Sequence, residues 1–300
     1  MRLLHFNASN NNQILTDIPE KYKFIESIAG QFATSESQLK DFFDLAVNEY
    51  ENLKISHPEK FAEEIKCWHI RQHLLYTTQL KNQEAQLDEI EHYKNFPIMK
   101  PFIGENYLDA KKKVLIIGES HFFSHEPTPE NPSPNPIINT GPSKWYSSTQ
   151  KDLHPSKFDS INTRKILSTP NHMVFREIEK VLSNSLQISE GRAIESIVFM
   201  NGFQRPANKR GQSMEGLASE PDYIVAIKTI SEVIKIMKPN FVVFISKFTW
   251  EKIGKNLIKE DNIVYDFTYH PASIKYWNDA PNATNPTGKL KFEEILKREY

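Results

Sequence analysis

The sequence predicts an α/β protein built on an open, mainly parallel sheet of four strands, preceded by a helical region. From residue 112 onward, short apolar runs rich in β-branched and aromatic residues alternate with stretches of helical periodicity. Continuous apolar runs of this kind are typical of strands buried on both faces, as in a parallel sheet. Alternation of such strands with helices predicts right-handed crossover connections.

Each predicted element follows from its own segment. The four strands are VLIIG at 114–118, SIVFMN at 196–201, FVVFIS at 241–246 and NIVYDFTY at 262–269. Apolar residues three and four positions apart predict helices over 171–186, 221–238 and 248–258. A proline-rich stretch at 124–158 separates the first strand from its helix, and we predict a long loop there. A compact domain seldom keeps such a loop unless it forms part of a site.

The first hundred residues have a different pattern. Helical periodicity extends over 14–94, with a capping-box sequence at Ser35 and with Pro58 suited to a first helical turn. Pro97 and Pro101 end this pattern. We therefore predict an N-terminal helical region over 1–98 and an α/β domain over 99–300. The helical region could orient DNA, recruit a partner or mediate dimerisation, and the sequence does not choose.

Composition restricts the class of protein. The 300 residues are 39% hydrophobic with a net charge of −1, so any contact with DNA requires a local basic patch. The single cysteine, Cys67, excludes a disulfide framework and any four-cysteine metal or iron–sulfur site within one chain. The sequence shows no bilayer-length apolar run and no signal segment. We expect a cytoplasmic protein without a cofactor or metal.

The first candidate stretch, GESHF, follows the first predicted strand. Ligands of open α/β sheets bind outside the carboxyl ends of the strands, where this stretch lies. Gly118 allows a sharp turn and close approach to a ligand, and three reactive side chains follow it. Glu119 could activate water and His121 could transfer a proton. Alternatively, these side chains only cap the next element, or His121 pairs with His125 on a metal ion.

The second stretch is NGFQRPANKR, which begins at the end of the second predicted strand. The amide of Asn201 would face the same crevice and could read the edge of a base. Three cations suited to phosphate contact follow in the loop, namely Arg205, Lys209 and Arg210. A solvated basic turn has the same composition and is the alternative.

The third stretch is YDFTYHPASIKYW, at the end of the last predicted strand. His270 stands directly before Pro271, which fixes the backbone and aims the imidazole. Ser273 and Lys275 could contact a phosphate backbone, and the aromatic residues after them could wedge into a base stack. Alternatively, the histidine only makes local hydrogen bonds at a strand end, and the aromatic side chains pack in the core.

Taken in order, the three stretches resemble the motifs of the uracil-DNA glycosylase superfamily. That family has a glycine-led motif after its first strand, an asparagine ending the second, and HPS or HPA after the last. NGFQRPANKR is similar to the NvvkcRPpgNR segment of the iron–sulfur-containing branch, and the resemblance covers about 110–280. It implies a three-layer α/β/α domain that flips a base out of DNA and hydrolyses its N-glycosidic bond.

The resemblance also implies roles for single residues. Asn201 would read the flipped base, and His270 would stabilise negative charge on the departing base. Residues 271–277 would penetrate the duplex, and residues 118–122 would form the water-activating loop. Base contacts in this loop would come from Gly118 and Phe122.

Departures from the family pattern bear on the substrate. Ser120 stands where the best-studied branch has an aspartate, and a hydroxyl is not a general base at neutral pH without an activator. Glu119 could substitute for it. The proline usual at position 121 is a histidine, and the cluster cysteines are absent, so no iron–sulfur cluster is expected. The candidates for the family's base-stacking aromatic are Phe123, Trp145 and Tyr146.

Three hypotheses follow, and the sequence favours the first. The first is that the chain is a divergent DNA glycosylase for uracil or another modified base, and the sequence does not decide between repair and defence against foreign DNA. Alternatively, it is an inactive nucleic-acid or nucleotide-binding module of the same fold. A third hypothesis is an unrelated hydrolase, since GESH also resembles a turn of erythromycin-esterase-like proteins, but it leaves Asn201 and His270 unexplained. The first predicts that Glu119, Ser120, Asn201 and His270 line one crevice.

Overall fold

The computed structural model describes six ranges of the chain: 78–123, 141–168, 172–188, 192–208, 211–279 and 286–298. The chain divides into two units, 1–82 and 83–300, and the fold described below belongs to the second. Residues 14–77 of the predicted helical region lie outside the described residues. Residues 83–88 are helical, and helix α1, Glu91–Asn95, follows them.

A five-stranded mixed sheet organises the second unit. Its strands, in chain order, are β1 Phe102–Ile103, β2 Val114–Gly118, β3 Ile197–Asn201, β4 Phe241–Phe244 and β5 Val264–Phe267. Their order across the sheet is β1-β3-β2-β4-β5, and β2 to β5 pair in parallel. These four lie where the apolar runs predict strands.

The predicted count of four strands is wrong because the short strand β1 pairs with β3 in the antiparallel direction. Phe102 lies opposite Phe199 in this pairing. Two residues are too few to show the alternation of apolar and polar side chains by which a strand is recognised. The sheet is therefore mixed, with its antiparallel strand at one edge.

Side chains of the parallel strands alternate between two hydrophobic clusters. Leu115 and Ile117 of β2 join a cluster that includes Ile230 of the helix over 220–237, which we call the α6 cluster. Val114 and Ile116 join a second one with Ile178 of the helix over 173–186, the α5 cluster. Each such side chain contributes about 1.5–3 kcal/mol on burial, which explains the continuous apolar runs.

Where the sequence predicted a helix in this domain, the described residues contain one that begins close to the predicted residue. After α1 they are α2 Gly141–Tyr146, α3 Phe158–Ile161, α4 Thr163–Ser168, α5 Met173–Leu186, α6 Glu220–Met237, α7 Lys247–Lys252, α8 Ile274–Asn278 and α9 Gly288–Lys297. The helix predicted over 248–258 is shorter, and a 3₁₀ turn, Gly254–Asn256, follows it. The ring of Trp250 occupies the space that a side chain at Gly254 would need. None of the helices in the described ranges is long and apolar enough to cross a membrane.

The predicted loop over 124–158 is only partly tested, since 124–140 lie outside the described residues. The remainder is not an extended loop, because it contains α2 and two 3₁₀ turns, Gln150–Asp152 and Pro155–Lys157. Trp145 anchors this segment. Its ring is 1% exposed and stacks on Phe96 with centroids 4.4 Å apart. The prolines and polar residues of this segment therefore gave no sequence pattern that indicates its short helices, which one buried tryptophan anchors.

A buried ion pair joins the loop after β3 to the start of α6. Arg205 Nε donates to Asp222 Oδ1 at 2.8 Å and its Nη2 donates to Oδ2 at 2.9 Å. The Tyr146 hydroxyl also donates to Oδ1, at 2.9 Å. Asp222 completes a capping box with Ser219, and its carboxylate is 0% exposed. The Arg205 guanidinium therefore faces a buried carboxylate and has a structural role, while the predicted phosphate contact stays a prediction.

Replacement of Asp222 by alanine is expected to lower the free energy of unfolding by about 3–5 kcal/mol, because the Arg205 charge would stay buried without a partner. Urea denaturation followed by circular dichroism measures this change. Glu91→Ala is the matched control, since it removes the carboxylate of an exposed ion pair with Lys228. That control is expected to change stability little, because exposed pairs contribute little. Equal effects of the two substitutions would contradict a buried, structural pair.

Candidate active site at the carboxyl edge of the sheet

The ends of β2 and β3 meet at a glycine and an asparagine. Gly118 pairs in register with Asn201, whose side chain lies over the glycine. A Cβ placed on Gly118 would stand 2.5 Å from Asn201 Oδ1 and 3.0 Å from Phe199 Cζ. Gly118 is not among the residues with positive φ in the described ranges. It is therefore needed for the close approach of a neighbouring side chain and not for a left-handed turn.

Backbone pairing continues past the sheet and aligns the first two candidate stretches. The amides of Gly202 and Phe203 donate to the carbonyls of Gly118 and Glu119 at 3.0 and 2.8 Å. The Gln204 side chain closes the turn by donating to the carbonyl of Asn201 at 2.7 Å and to that of Gly202 at 3.0 Å. The turn that carries Asn201 is thus fixed from within.

Three donors hold the carboxylate of Glu119 in one orientation. The Ser213 hydroxyl and the Met214 backbone amide donate to Oε1 at 2.6 and 2.7 Å. The hydroxyl of Ser246, the residue that caps α7, donates to Oε2 at 2.8 Å. Because an ionised carboxylate offers about four acceptor sites, one remains on Oε2. The result is a fixed, half-buried negative charge at the end of β2 with room for one more donor.

The backbone determines the tautomer of His270. The Ala272 amide donates to its Nδ1 at 3.1 Å, so Nδ1 carries a lone pair. The neutral ring then carries its proton on Nε2, which can donate to a ligand. Burial lowers the pKa of His270, the Glu119 carboxylate opposes this, and His172 lowers the pKa further. The neutral form is therefore the prevailing one at pH 7.

His172 is a neighbour of the site that the sequence analysis missed. It immediately precedes α5, and its ring lies 5.0 Å from that of Phe175, centroid to centroid. The charge of His172 lowers the pKa of His270. The only signal in the sequence was a histidine at the start of a helical pattern, and we interpreted it as part of the helix.

His121 lies in the core, which argues against its predicted catalytic role. It is 3% exposed, and its Nε2 lies 3.2 Å from the hydroxyl of Thr163. That hydroxyl donates its proton to the Met99 carbonyl, so it accepts from Nε2–H of the histidine. The Nδ1 atom is buried without a partner, and burial lowers the pKa to about 3. Ser120, the residue before it, is half-buried.

The predicted stacking aromatics are also largely core residues. Phe123 is 2% exposed and contacts Trp145 edge to face at 6.3 Å, both within the α6 cluster. Both rings are therefore engaged in packing, which argues against the base contact predicted for Phe123. The Tyr146 hydroxyl is engaged by the Arg205–Asp222 pair. Phe122 is half-buried and packs against the same cluster.

The residues predicted to contact a DNA backbone lie in different environments. Lys209 and Arg210 lie outside the described residues. Ser273 is half-buried at the start of α8. Lys275 is exposed, with Nζ 5.8 Å from the ring centre of Tyr276, which is 41% exposed. The segment after His270 thus presents one cation and one aromatic ring to solvent.

Comparisons with known proteins add no identity. The sequence matches no family model, and no curated protein is similar to it. In the described ranges, no three histidine, cysteine, aspartate or glutamate side chains are arranged to hold a metal ion, and His125 lies outside those ranges. Function is therefore inferred from the arrangement of Asn201, Glu119 and His270.

Gly118→Ala is expected to lower the free energy of unfolding by about 1–3 kcal/mol, because the new methyl group would overlap the Asn201 amide. The same change made together with Asn201→Ala is expected to cost less, since the overlapping atom is gone. Chemical denaturation of the wild type, both single variants and the double variant measures this coupling. Strictly additive effects would show that the two residues do not touch.

Stability is expected to fall as the pH is lowered from about 6.5 to 3. Burial lowers the pKa of His92 to about 3, with a further contribution from His121, whose own pKa is also about 3. The unfolded chain binds protons in this window while the folded chain does not, which costs up to about 1.4 kcal/mol per pH unit for each histidine.

His92→Phe tests this expectation, because the ring already stacks on Phe96 at 5.3 Å and its Nε2 has no partner. The variant is expected to lose less stability than the wild type between pH 7 and pH 5. His154→Ala, which removes an exposed histidine, is measured alongside as the control. Urea denaturation at both pH values gives the comparison, and identical pH dependence in all three proteins would show that His92 can charge in the folded state.

Proposed function

We propose that the chain is a divergent DNA glycosylase-like hydrolase that cleaves the N-glycosidic bond of a base flipped out of DNA. The observation that carries the proposal is that an amide, a neutral imidazole and a fixed carboxylate lie at or beyond the carboxyl ends of parallel strands at one edge of the sheet, in Asn201, His270 and Glu119. The alternation of β2 side chains between the α5 and α6 clusters supports a three-layer α/β/α arrangement for this domain.

The Asn201 amide suits recognition of a base. It offers a donor and an acceptor side by side, which can pair with two neighbouring groups on a base edge. The turn closed by Gln204 fixes the backbone that carries it, and the lack of a side chain at Gly118 leaves room for it at the end of β2. Pre-organisation of this kind lowers the entropy cost of binding.

Bond cleavage requires stabilisation of two opposite charges. When the glycosidic bond breaks, the base leaves with the bonding electron pair and the sugar becomes cationic. The Nε2–H of His270 can donate to an oxygen on the departing base, where negative charge develops. The negative charge of Glu119 stabilises the cationic sugar and can accept a hydrogen bond from the attacking water on Oε2.

The water completes the reaction. Its oxygen forms the new bond to the sugar carbon, and its proton passes to the Glu119 carboxylate and on to solvent. The departing base takes up a proton from solvent, so atoms and charges balance. Ser120 stands beside Glu119 and can orient the water, but its hydroxyl cannot replace the carboxylate as base.

A second candidate is a DNA-binding module of the same fold that no longer cleaves. Three of about four acceptor sites on Glu119 are occupied, which leaves little capacity to activate water. Recognition by Asn201 and His270 would persist without the reaction. The burial of His121 argues against the third hypothesis, a GESH-type hydrolase that depends on this imidazole.

A strand-scission assay tests the proposal. Duplex oligonucleotides carrying uracil, hypoxanthine, or hydroxymethylated or glucosylated cytosine are incubated with the protein, and abasic sites are then cleaved chemically. We expect scission with at least one base. His270→Ala is expected to lower the rate by about 10²–10³-fold, because it removes the donor to the departing base. His154→Ala, an exposed histidine, should leave the rate unchanged.

The outcomes separate the candidates. No scission with any base, together with DNA binding that weakens as salt is raised, would favour the binding module. Absence of DNA binding at low salt would remove both. Equal rates for His270→Ala and the wild type would contradict the role of the imidazole.

A further inference from the structure

We propose that Ser246 is a positioning residue for the hydrolysis, and that it aims one oxygen of the Glu119 carboxylate at the attacking water. The inference rests on the proposed function and goes beyond it, because neither the sequence motifs nor the resemblance gives a role to the end of β4. Ser246 is 3% exposed, so it acts through Glu119 and not by contact with the substrate.

Ser246 occupies a place in a row of strand ends. The sheet order β3-β2-β4-β5 puts the end of β4 between the ends of β2 and β5. The Ile245 amide donates to the Ile117 carbonyl at 2.9 Å, which continues the pairing of β4 with β2 up to the residue before Ser246. Each of the four parallel strands thus ends in, or leads to, one polar side chain of the site, and those of β2 and β4 are hydrogen-bonded to each other.

Glu119 and Ser246 meet because they extend the same face of the sheet. Ile117 and Phe244 precede them by two residues each, and both lie in the α6 cluster. Side chains two positions apart along a strand share a face. Ile117 and Phe244 also lie opposite each other in the register of the two strands. The Ser246 hydroxyl therefore reaches the carboxylate, where it donates to Oε2 at 2.8 Å.

The two oxygens of the Glu119 carboxylate are held differently. Oε1 accepts from the Ser213 hydroxyl at 2.6 Å and from the Met214 amide at 2.7 Å, which occupies both of its lone-pair positions. Among the described residues, Oε2 accepts from Ser246 alone. A water that donates to this carboxylate would therefore approach Oε2, and this oxygen would take up the proton of the attacking water.

The start of α7 restricts the direction of the Ser246 hydroxyl. Its Oγ accepts from the Thr249 amide at 3.2 Å as the N-cap of the helix. A serine hydroxyl has one proton and two lone pairs, so a lone pair directed at Thr249 limits where the proton can point. The proton is donated to Oε2, and the second lone-pair position of Oε2 is left for the water. One buried hydroxyl thus caps a helix and orients the reactive oxygen.

Ser246→Gly tests this role, since it removes the hydroxyl while glycine remains an acceptable N-cap residue. It is expected to lower kcat for scission by about 10–100-fold with little change in KM, because misplacement of a reacting group by about 1 Å has effects of this size. Ser246→Thr keeps both the hydroxyl and the cap, and it is expected to retain most of kcat. The substrate is a duplex carrying whichever base the wild type cleaves, and urea denaturation establishes that each variant is folded in the assay.

Ser213→Ala is the matched control. Ser213 resembles Ser246 in its contacts, because it also donates to the carboxylate and accepts from a backbone amide, that of Glu215 at 3.0 Å. Its loss leaves the Met214 amide on Oε1, so it is expected to lower kcat much less than Ser246→Gly does. A purely structural role of both serines would predict similar effects, whereas the proposal predicts unequal ones.

The outcomes are separable from those of the proposed function. Scission by the wild type with an unchanged kcat in Ser246→Gly would overturn the inference and leave the glycosylase proposal standing. A loss in Ser213→Ala as large as that in Ser246→Gly would also overturn it, since the two oxygens would then be equivalent. In a folded Ser246→Thr protein, a loss equal to that of Ser246→Gly would show that the hydroxyl is not required. If the wild type cleaves none of the bases, the inference falls with the proposed function.

A measurement without DNA tests the hydrogen bond itself. Urea denaturation of the wild type, Ser246→Gly, Glu119→Ala and the double variant forms a double-mutant cycle. We expect the double variant to lose less stability than the sum of the two single losses, because each single substitution already breaks the contact between the two side chains. Strictly additive losses would show that they do not interact, which would overturn the proposal whatever the activity of the wild type.

Discussion

Parallel pairing of β2 with β3, continued by backbone hydrogen bonds beyond the last sheet residues, determines where Gly118, Glu119 and Asn201 stand. Glu119 and Phe203 lie side by side because the Phe203 amide donates to the Glu119 carbonyl. The same pairing places the Asn201 amide over a glycine, so the site begins with two backbones in register. A shift by one residue would move the Asn201 side chain to the opposite face of the sheet.

Two histidines of this chain show how environment decides the use of one side-chain type. Burial lowers the pKa of both His121 and His270. The imidazole of His121 is sealed between a threonine and the core, so its neutrality serves packing. His270 has its Nδ1 fixed by the backbone and a carboxylate near it, so its neutral form presents a donor at the sheet edge. Sequence position alone does not separate these cases.

The parallel strands and long helices could be predicted because their signals are local: four apolar runs, and the periodicity of α5 and α6. The approach of Asn201 to the end of β2 follows from parallel topology and was also predictable. Strand β1 could not be predicted, because two residues are too few to show a periodic pattern. The structural roles of Arg205 and Phe123 depend on partners distant in the sequence, which local patterns do not reveal. Arg205 became structural because Asp222, 17 residues later, is buried beside it.

The three hydrogen bonds to Glu119 constrain how this site can evolve. The carboxylate attaches the segment around Ser213 and Met214 to the end of β2, whereas the start of α7 is also attached there by the backbone bond from the Ile245 amide to the Ile117 carbonyl. An aspartate at position 120 would therefore not make Glu119 dispensable, since the Met214 amide and the Ser213 hydroxyl would lose their acceptor. The same carboxylate thus combines a structural task with the one proposed for it in the reaction, and a substitution there would disturb both.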